Sequence, residues 1–288
     1  MQLLLLVACN PMDGLVRESL GPDASSPYEV HLFREDAGAW RRSEPAIAHA
    51  FSSLHADIWN GELVVCGLGS ARPPTFWEER FPRLAVGGLV TTDLNAWATR
   101  TWDVVADGVS LIDPALVAGP DGEYLWFVQT DGPGDPGERG RDVRLVRTRW
   151  NGSAFAEAHT WATGKGLVDP APVWFGGHWH LFATQDHASV VLVEEGGALR
   201  VVLPNATVPF ARVVGEHVSL VAQRRMESGV WPVETTTSDL ATWTEAAPAL
   251  PAAVTSGRGP PPPLRTCASP VTASFAGVEA LICVDERR

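Results

Sequence analysis

Two stretches of this sequence decide its fold: Leu111-Ile112-Asp113-Pro114-Ala115-Leu116-Val117 and Leu167-Val168-Asp169-Pro170-Ala171-Pro172-Val173. Each is followed by a Gly-containing turn and a second apolar run, Gly122-Glu123-Tyr124-Leu125-Trp126-Phe127 in one and Gly177-His178-Trp179-His180-Leu181-Phe182 in the other. A β-rich run, a tight turn and a second β-rich run predict a hairpin. The same hairpin, met twice 56 residues apart, predicts a repeat architecture.

Working outward, weaker copies follow at three more places. Ser53 to Glu62 leads into Leu63–Cys66, Val208 to Glu216 into His217–Ala222, and Ser269 to Gly277 into Val278–Val284. Anchored at positions 56, 113, 169, 208 and 269, the copies number five. A second motif, Asp-x-x-x-Trp, recurs as Asp93/Trp97, Asp239/Trp243 and Asp36/Trp40. Its reading is structural: Asp caps the turn after a strand and Trp fills a wedge between sheets. The third copy precedes the first hairpin, and the fifth hairpin has no outer strands after it. Outer strands from Tyr28 to Arg42 therefore complete the unit begun at Thr266, which removes exposed sheet edges. The expected fold is all-β, a single five-bladed β-propeller over 28–288 whose last blade is closed by N-terminal strands. Thr244 to Arg265, with Gly259-Pro260-Pro261-Pro262-Pro263, is expected as a connector between the fourth and fifth blades.

The chain has 288 residues, 45% hydrophobic and only 19% charged, which excludes a disordered protein. Its 27 Gly and 23 Pro suit many turns, and its 12 Trp suit many inter-sheet wedges. A net charge of −12 speaks against a nucleic-acid partner, which would need a basic stripe, and fits a neutral polar ligand such as a carbohydrate. Residues 1–27 read as a truncated lipoprotein signal and tether. Leu3-Leu4-Leu5-Leu6-Val7-Ala8-Cys9 ends like a bacterial lipobox, and the polar stretch after it suits a flexible link. A lipid on Cys9 would attach a monomer peripherally to a bacterial cell envelope. That leaves Cys66, Cys267 and Cys283, with no Cys/His spacing for zinc. No cofactor and no metal are expected. His178 and His180 share a strand face but lack a third ligand.

The segments around Asp113-Pro114 and Asp169-Pro170, with the turns Thr92-Asp93-Leu94-x-x-Trp97 and Ser238-Asp239-Leu240-x-x-Trp243, resemble the five-bladed glycosidase superfamily of arabinanases, levansucrases and invertases (glycoside hydrolase families 43 and 32). That resemblance implies a site at a funnel mouth where the inner strands begin. It implies an Asp base from the first blade, an Asp that tunes the acid from the second, and a Glu acid from the third. Glycoside cleavage needs one protonated and one ionised carboxyl group. Asp113 matches the second position. In the first blade His55-Ala56-Asp57 stands where Asp-Pro is expected, so Asp57 is the displaced base. In the third, Asp169 stands in place of Glu, a departure that shortens the acid by one carbon. The catalytic candidates are thus Asp57, Asp113 and Asp169. The substrate-binding candidates are His55, Trp59 and Trp77, with Asp186 and His187 beside Asp169, and Trp126 as a further aromatic with core packing as its commoner role. Other acids on the mouth loops are Glu78, Glu79, Asp131, Asp135, Glu138 and Glu227. Glu123 and Glu216 belong to the opposite face. Asp113 and Asp169 keep an alternative role, accepting backbone hydrogen bonds around the axis. Two functions remain open: a carbohydrate-cleaving propeller, and a non-catalytic carbohydrate-binding or scaffold propeller that has lost its general acid.

Overall fold

The structure, a computed structural model, describes residues 5–6, 18–19, 28–36, 39–42, 47–49, 55–68, 84–107, 111–129, 140–226, 229–249, 254–256, 268–275 and 278–286. Every regular element among them is a strand. The pairing divides into antiparallel meanders of four strands. Unit 1 is His55–Trp59, Glu62–Leu68, Leu84–Thr91 and Ala98–Val104, and unit 2 is Ile112–Gly119, Gly122–Gln129, Asp142–Trp150 and Phe155–Lys165. Unit 3 is Leu167–Phe175, His178–Gln185, Ser189–Val193 and Leu199–Pro204. Unit 4 is Ala206–Val214, His217–Met226, Gly229–Thr237 and the two-residue Ala247–Pro248. Unit 5 joins Ala268–Phe275 and Val278–Glu286 to the N-terminal Tyr28–Asp36 and Ala39–Arg42.

The first strand of each unit touches the first strands of its two neighbours, and the contact between Ala268–Phe275 and His55–Trp59 closes the ring. The molecule is therefore a propeller whose inner strands surround an axis. Val284 pairs with Val30 and Ile282 with Leu32, so the two ends of the chain share one sheet. A single parallel contact, Phe155 with Val104, ties the outer strands of units 1 and 2 together.

Burial follows position in each sheet. Second strands have sheet neighbours on both sides and other units on both faces, so they read as continuous apolar runs. Leu125, Trp126, Phe127 and Val128 are all fully buried. The outer strand Leu199–Pro204 instead buries only Leu203. Between units 1, 2 and 3 the core holds Trp59, Trp102, Trp126, Phe155 and Trp161, and between units 3 and 4 it holds Phe182, Leu192 and Leu220. Emptying a site such as that of Trp126 by substitution with Ala costs about 3–5 kcal/mol.

The Asp-x-x-x-Trp turns behave as capped turns. Asp239 Oδ1 accepts the backbone N–H groups of Ala241 and Thr242 at 2.8 Å each, and Asp93 Oδ1 does the same for Asn95 and Ala96 at 2.8 and 3.0 Å. Those donors hold both carboxyls below the usual range, Asp239 at about 2. Trp243 packs edge-on against Phe182 at 5.6 Å. The side chains of Asp36 and Trp40 lie outside the described residues.

One expectation on connectors needs correction. Thr244 to Arg265 is not a plain link: Ala247–Pro248 is the outer strand of unit 4, and Val254–Ser256 pairs in parallel with Ala39–Arg42. Free backbone edges recruit whatever chain runs past them. Within 1–27, Leu5–Leu6 pairs with Glu18–Ser19, and Cys9 lies outside the described residues.

Candidate functional site

An X-Pro pair near the start of the inner strands builds the axial site. In unit 2 the ladder skips from Ile112↔Val128 to Ala115↔Trp126, so three steps on one strand face two on the other. The same bulge falls at Asp169-Pro170, Val208-Pro209 and Ser269-Pro270. Proline has no N–H for the ladder, so the chain bulges where it occurs. The residue before it turns left-handed, with φ of 48° at Asp113, 54° at Asp169 and 50° at Val208. For a β-branched residue such as Val208 that conformation is strained.

Counting back from each hairpin turn places these bulges at one level. Gly119, Phe175, Val214 and Phe275 close the turns, and the X residue lies six positions before each. Unit 1 closes at Trp59↔Glu62, so the count of six falls on position 53, before the described strand begins, and the sequence there has Ser53-Leu54 and no Pro. The strand His55–Trp59 pairs without a bulge. This corrects the expected phase of unit 1 by three residues, and Ser53 itself lies outside the described residues.

The correction moves Asp57 out of the site. Asp57 sits two residues from its hairpin turn, near the end of the axis remote from the bulges. Its Oδ2 accepts the Ala118 N–H at 2.7 Å and its Oδ1 the Ile58 N–H at 2.7 Å. Burial pushes its carboxyl up to about 6 against these two donors. Asp57 thus satisfies the free edge of the neighbouring inner strand, where an unpaired N–H would be costly.

The residues that do come together are His55, Asp113, Pro114, Asp169, Pro170, Val208 and Pro209. They line a narrow cleft, partly open to solvent, with room for about one water molecule. Asp113, Asp169 and His55 are all buried. Asp113 Oδ2 accepts the backbone N–H of Asp169 at 3.2 Å, so one acid of the site positions the next unit's bulge. Thr184 Oγ1 does the equivalent for the N–H of Val208 at 2.8 Å. On the unit 1 side, Cys66 Sγ donates to the Pro114 carbonyl at 3.1 Å and accepts the Leu116 N–H at 3.3 Å. Burial pushes that thiol up to about 12, so Cys66 is a protonated thiol that both donates and accepts.

His55 lies one level below, beside Ala115, Ala171 and Phe210 in register. Its ring meets Phe210 of unit 4 across the axis, with centroids 5.0 Å apart and planes at 62°. Alanine in units 2 and 3 leaves the width that these two rings fill. Burial drives the His55 imidazole down to about 4, opposed only by the Leu116 backbone, and neither ring nitrogen makes a hydrogen bond of ordinary geometry.

Asp186 and His187 both have positive φ, 50° and 51°, and form the two central residues of a turn between Gln185 and Ala188. The Asp186 N–H donates to the Gly166 carbonyl at 2.8 Å, at the start of the strand that carries Asp169. They flank the mouth without lining the cleft. Trp59 is no sugar platform: it is buried among Trp102, Trp150 and Phe155 at centroid distances of 5.3–6.0 Å. Trp126 is likewise core. Trp77 lies outside the described residues, as do Glu78, Glu79, Asp131, Asp135, Glu138 and Glu227. Glu123 and Glu216 fall at first-to-second strand turns, remote from Asp113 and Asp169. Among the described residues no group of three His, Cys, Asp or Glu is placed to hold a metal ion. Matching on Asp alone missed Val208, Phe210, Thr184 and Cys66; a count from the hairpin turn would have found the first two.

The fold is a β-propeller of the shape shared by known propeller glycosidases. A family 62 α-L-arabinofuranosidase catalytic domain from Coprinopsis cinerea aligns with 89% of this chain and 97% of its own, at 10% identity and TM-score 0.55. An arabinanase from Bacillus subtilis aligns over 82% of this chain and 94% of its own, at 9% identity and TM-score 0.49. An exo-β-1,3-galactanase from Phanerochaete chrysosporium aligns over 77% of this chain, at 12% identity and TM-score 0.49, and the chain spans only 54% of that enzyme's length. No protein-family model and no curated protein matches the sequence.

Proposed function

We propose that this chain is a carbohydrate-binding propeller that receives its ligand at the axial mouth, over Asp113 and Asp169, the only acids that the described residues bring to that level of the axis. The observation that carries this reading is the composition of one level of the axis. Two consecutive units present Asp, the next presents Val208, and Asp57 stands at the other end. Ionised carboxylates are good acceptors for sugar hydroxyls. Cleavage further requires a carboxylic acid across the scissile bond from its partner, and one of these two acids is already engaged on the other's backbone. The shared fold with an α-L-arabinofuranosidase makes arabino-oligosaccharides the first probes. The Leu-Val-Ala-Cys9 sequence supports attachment of the same domain to an envelope.

Calorimetry with arabino-, xylo- and galacto-oligosaccharides, run beside an assay for released reducing sugar, tests the proposal. Binding without product is expected, with Asp113→Asn and Asp169→Asn each weakening it about tenfold or more at unchanged melting temperature. Product release that Asp113→Asn abolishes would favour the hydrolase reading, for which the adjacent pair of axial acids speaks. Absence of binding to every glycan tried removes carbohydrate from the account altogether.

A further inference from the structure

Among the described residues that line the axial cleft, the buried polar side chain whose ring nitrogens lack a hydrogen bond of ordinary geometry is His55, at 3% exposure. A buried polar group left in that state is destabilising by about 1–3 kcal/mol, and such groups call for an explanation. Packing supplies half of one: the ring fills the axis against Phe210 where units 2 and 3 carry only alanine. A phenylalanine or leucine would do that as well, with no polar atoms to satisfy. What the imidazole adds is a donor and an acceptor at the bottom of a cleft with room for about one water molecule, which is also the size of a single hydroxyl. Asp113 and Asp169 stand one level above it and line the same cleft.

We propose that His55 reads the ligand at the base of the axial site, its imidazole exchanging a hydrogen bond with one hydroxyl of the bound sugar. This rests on the carbohydrate-binding reading above and narrows it: the site distinguishes a sugar bearing that hydroxyl from its deoxy counterpart. A buried, hydrogen-bonding site rejects an analogue that lacks the group because its own polar atoms are then left unpaired. Because burial keeps the ring neutral down to about pH 4, it offers one donor and one acceptor through the neutral range.

The test uses the full chain, wild type and His55→Phe, with the methyl glycosides of arabinofuranose, xylopyranose and galactopyranose and their monodeoxy analogues. In wild type one deoxy analogue of the bound sugar should bind about tenfold more weakly than its parent, the size of a single net hydrogen bond. In His55→Phe, which keeps a ring against Phe210, that discrimination should vanish while the melting temperature holds or rises. A penalty that persists in His55→Phe overturns the inference and leaves carbohydrate binding standing. If no glycoside binds wild type, the carbohydrate reading falls and this inference with it. Should His55→Phe fail to fold, nitrogen-15 spectra of wild-type histidine decide: ring resonances of His55 that stay unmoved when the glycoside binds overturn the proposal.

Discussion

His55 and Asp57 are two residues apart and are shifted in ways that oppose each other. The folded-state pKa of His55 is about 4 against an ordinary 6.5, so folding favours its neutral form. Its contribution to stability is full above 6.5 and is lost as pH falls through about 4. Asp57 is raised to about 6 from 3.8, so its contribution is present below 3.8 and lost as pH rises through about 6. Each shift corresponds to roughly 3 kcal/mol at most. Between about pH 4 and 6 the two slopes offset one another. Urea unfolding across that range should show Asp57→Asn losing stability on acidification more steeply than wild type, and His55→Phe losing stability as pH rises. Parallel pH profiles for all three proteins would refute the assignment.

Among strands, the inner ones carry an unusual burden, since one edge has no sheet neighbour. Side chains of the preceding unit meet that need: Asp57 for Ala118, Cys66 for Pro114 and Leu116, Asp113 for Asp169, and Thr184 for Val208. Cys66→Val keeps the volume but strips both bonds from the Asp113-Pro114 bulge. It should cost about 1–3 kcal/mol in denaturant unfolding, with Cys66→Ser, which can both donate and accept, less affected. Equal losses for Ser and Val would assign Cys66 to packing alone. The hairpins and capped turns were legible in the sequence because their signals are local: Gly in the turn, and Thr-x-Asp-Leu with its own hydrogen bonds. The phase of unit 1 was not legible. Its inner strand has no proline to mark the level, and Asp57, the nearest acid, drew the alignment three residues down the strand.

At the scale of the molecule, closure depends on strands far apart in the sequence. Tyr28–Asp36 covers the edge of Val278–Glu286 and in turn receives Ala39–Arg42. Deletion of residues 1–42 exposes that edge, a template for pairing with other chains. Gel filtration of the truncated chain should show self-association, and its thermal transition should broaden or fall. A monomer that melts like the full chain would mean that the ring does not need its N-terminal strands. The circular arrangement was readable beforehand from the order of motifs, since an Asp-x-x-x-Trp copy precedes the first hairpin and none follows the last.

By itself the sequence determined that the chain is a closed all-β repeat, because alternating apolar runs, turn formers and motif spacing act over a few residues and survive any placement of the units. It also pointed to Asp113 and Asp169, whose Asp-Pro pairs carry the bulge with them. The tertiary structure decided which side chains share the axis. Asp57, Trp59 and His55 lie within five residues of one another, yet they end at a strand edge, in the core and in the cleft respectively. At i, i+2 and i+4 of one unbulged strand the three share a face, so what separates them is the level at which each meets the axis, set by its distance from the hairpin turn. That distance became visible only in the register.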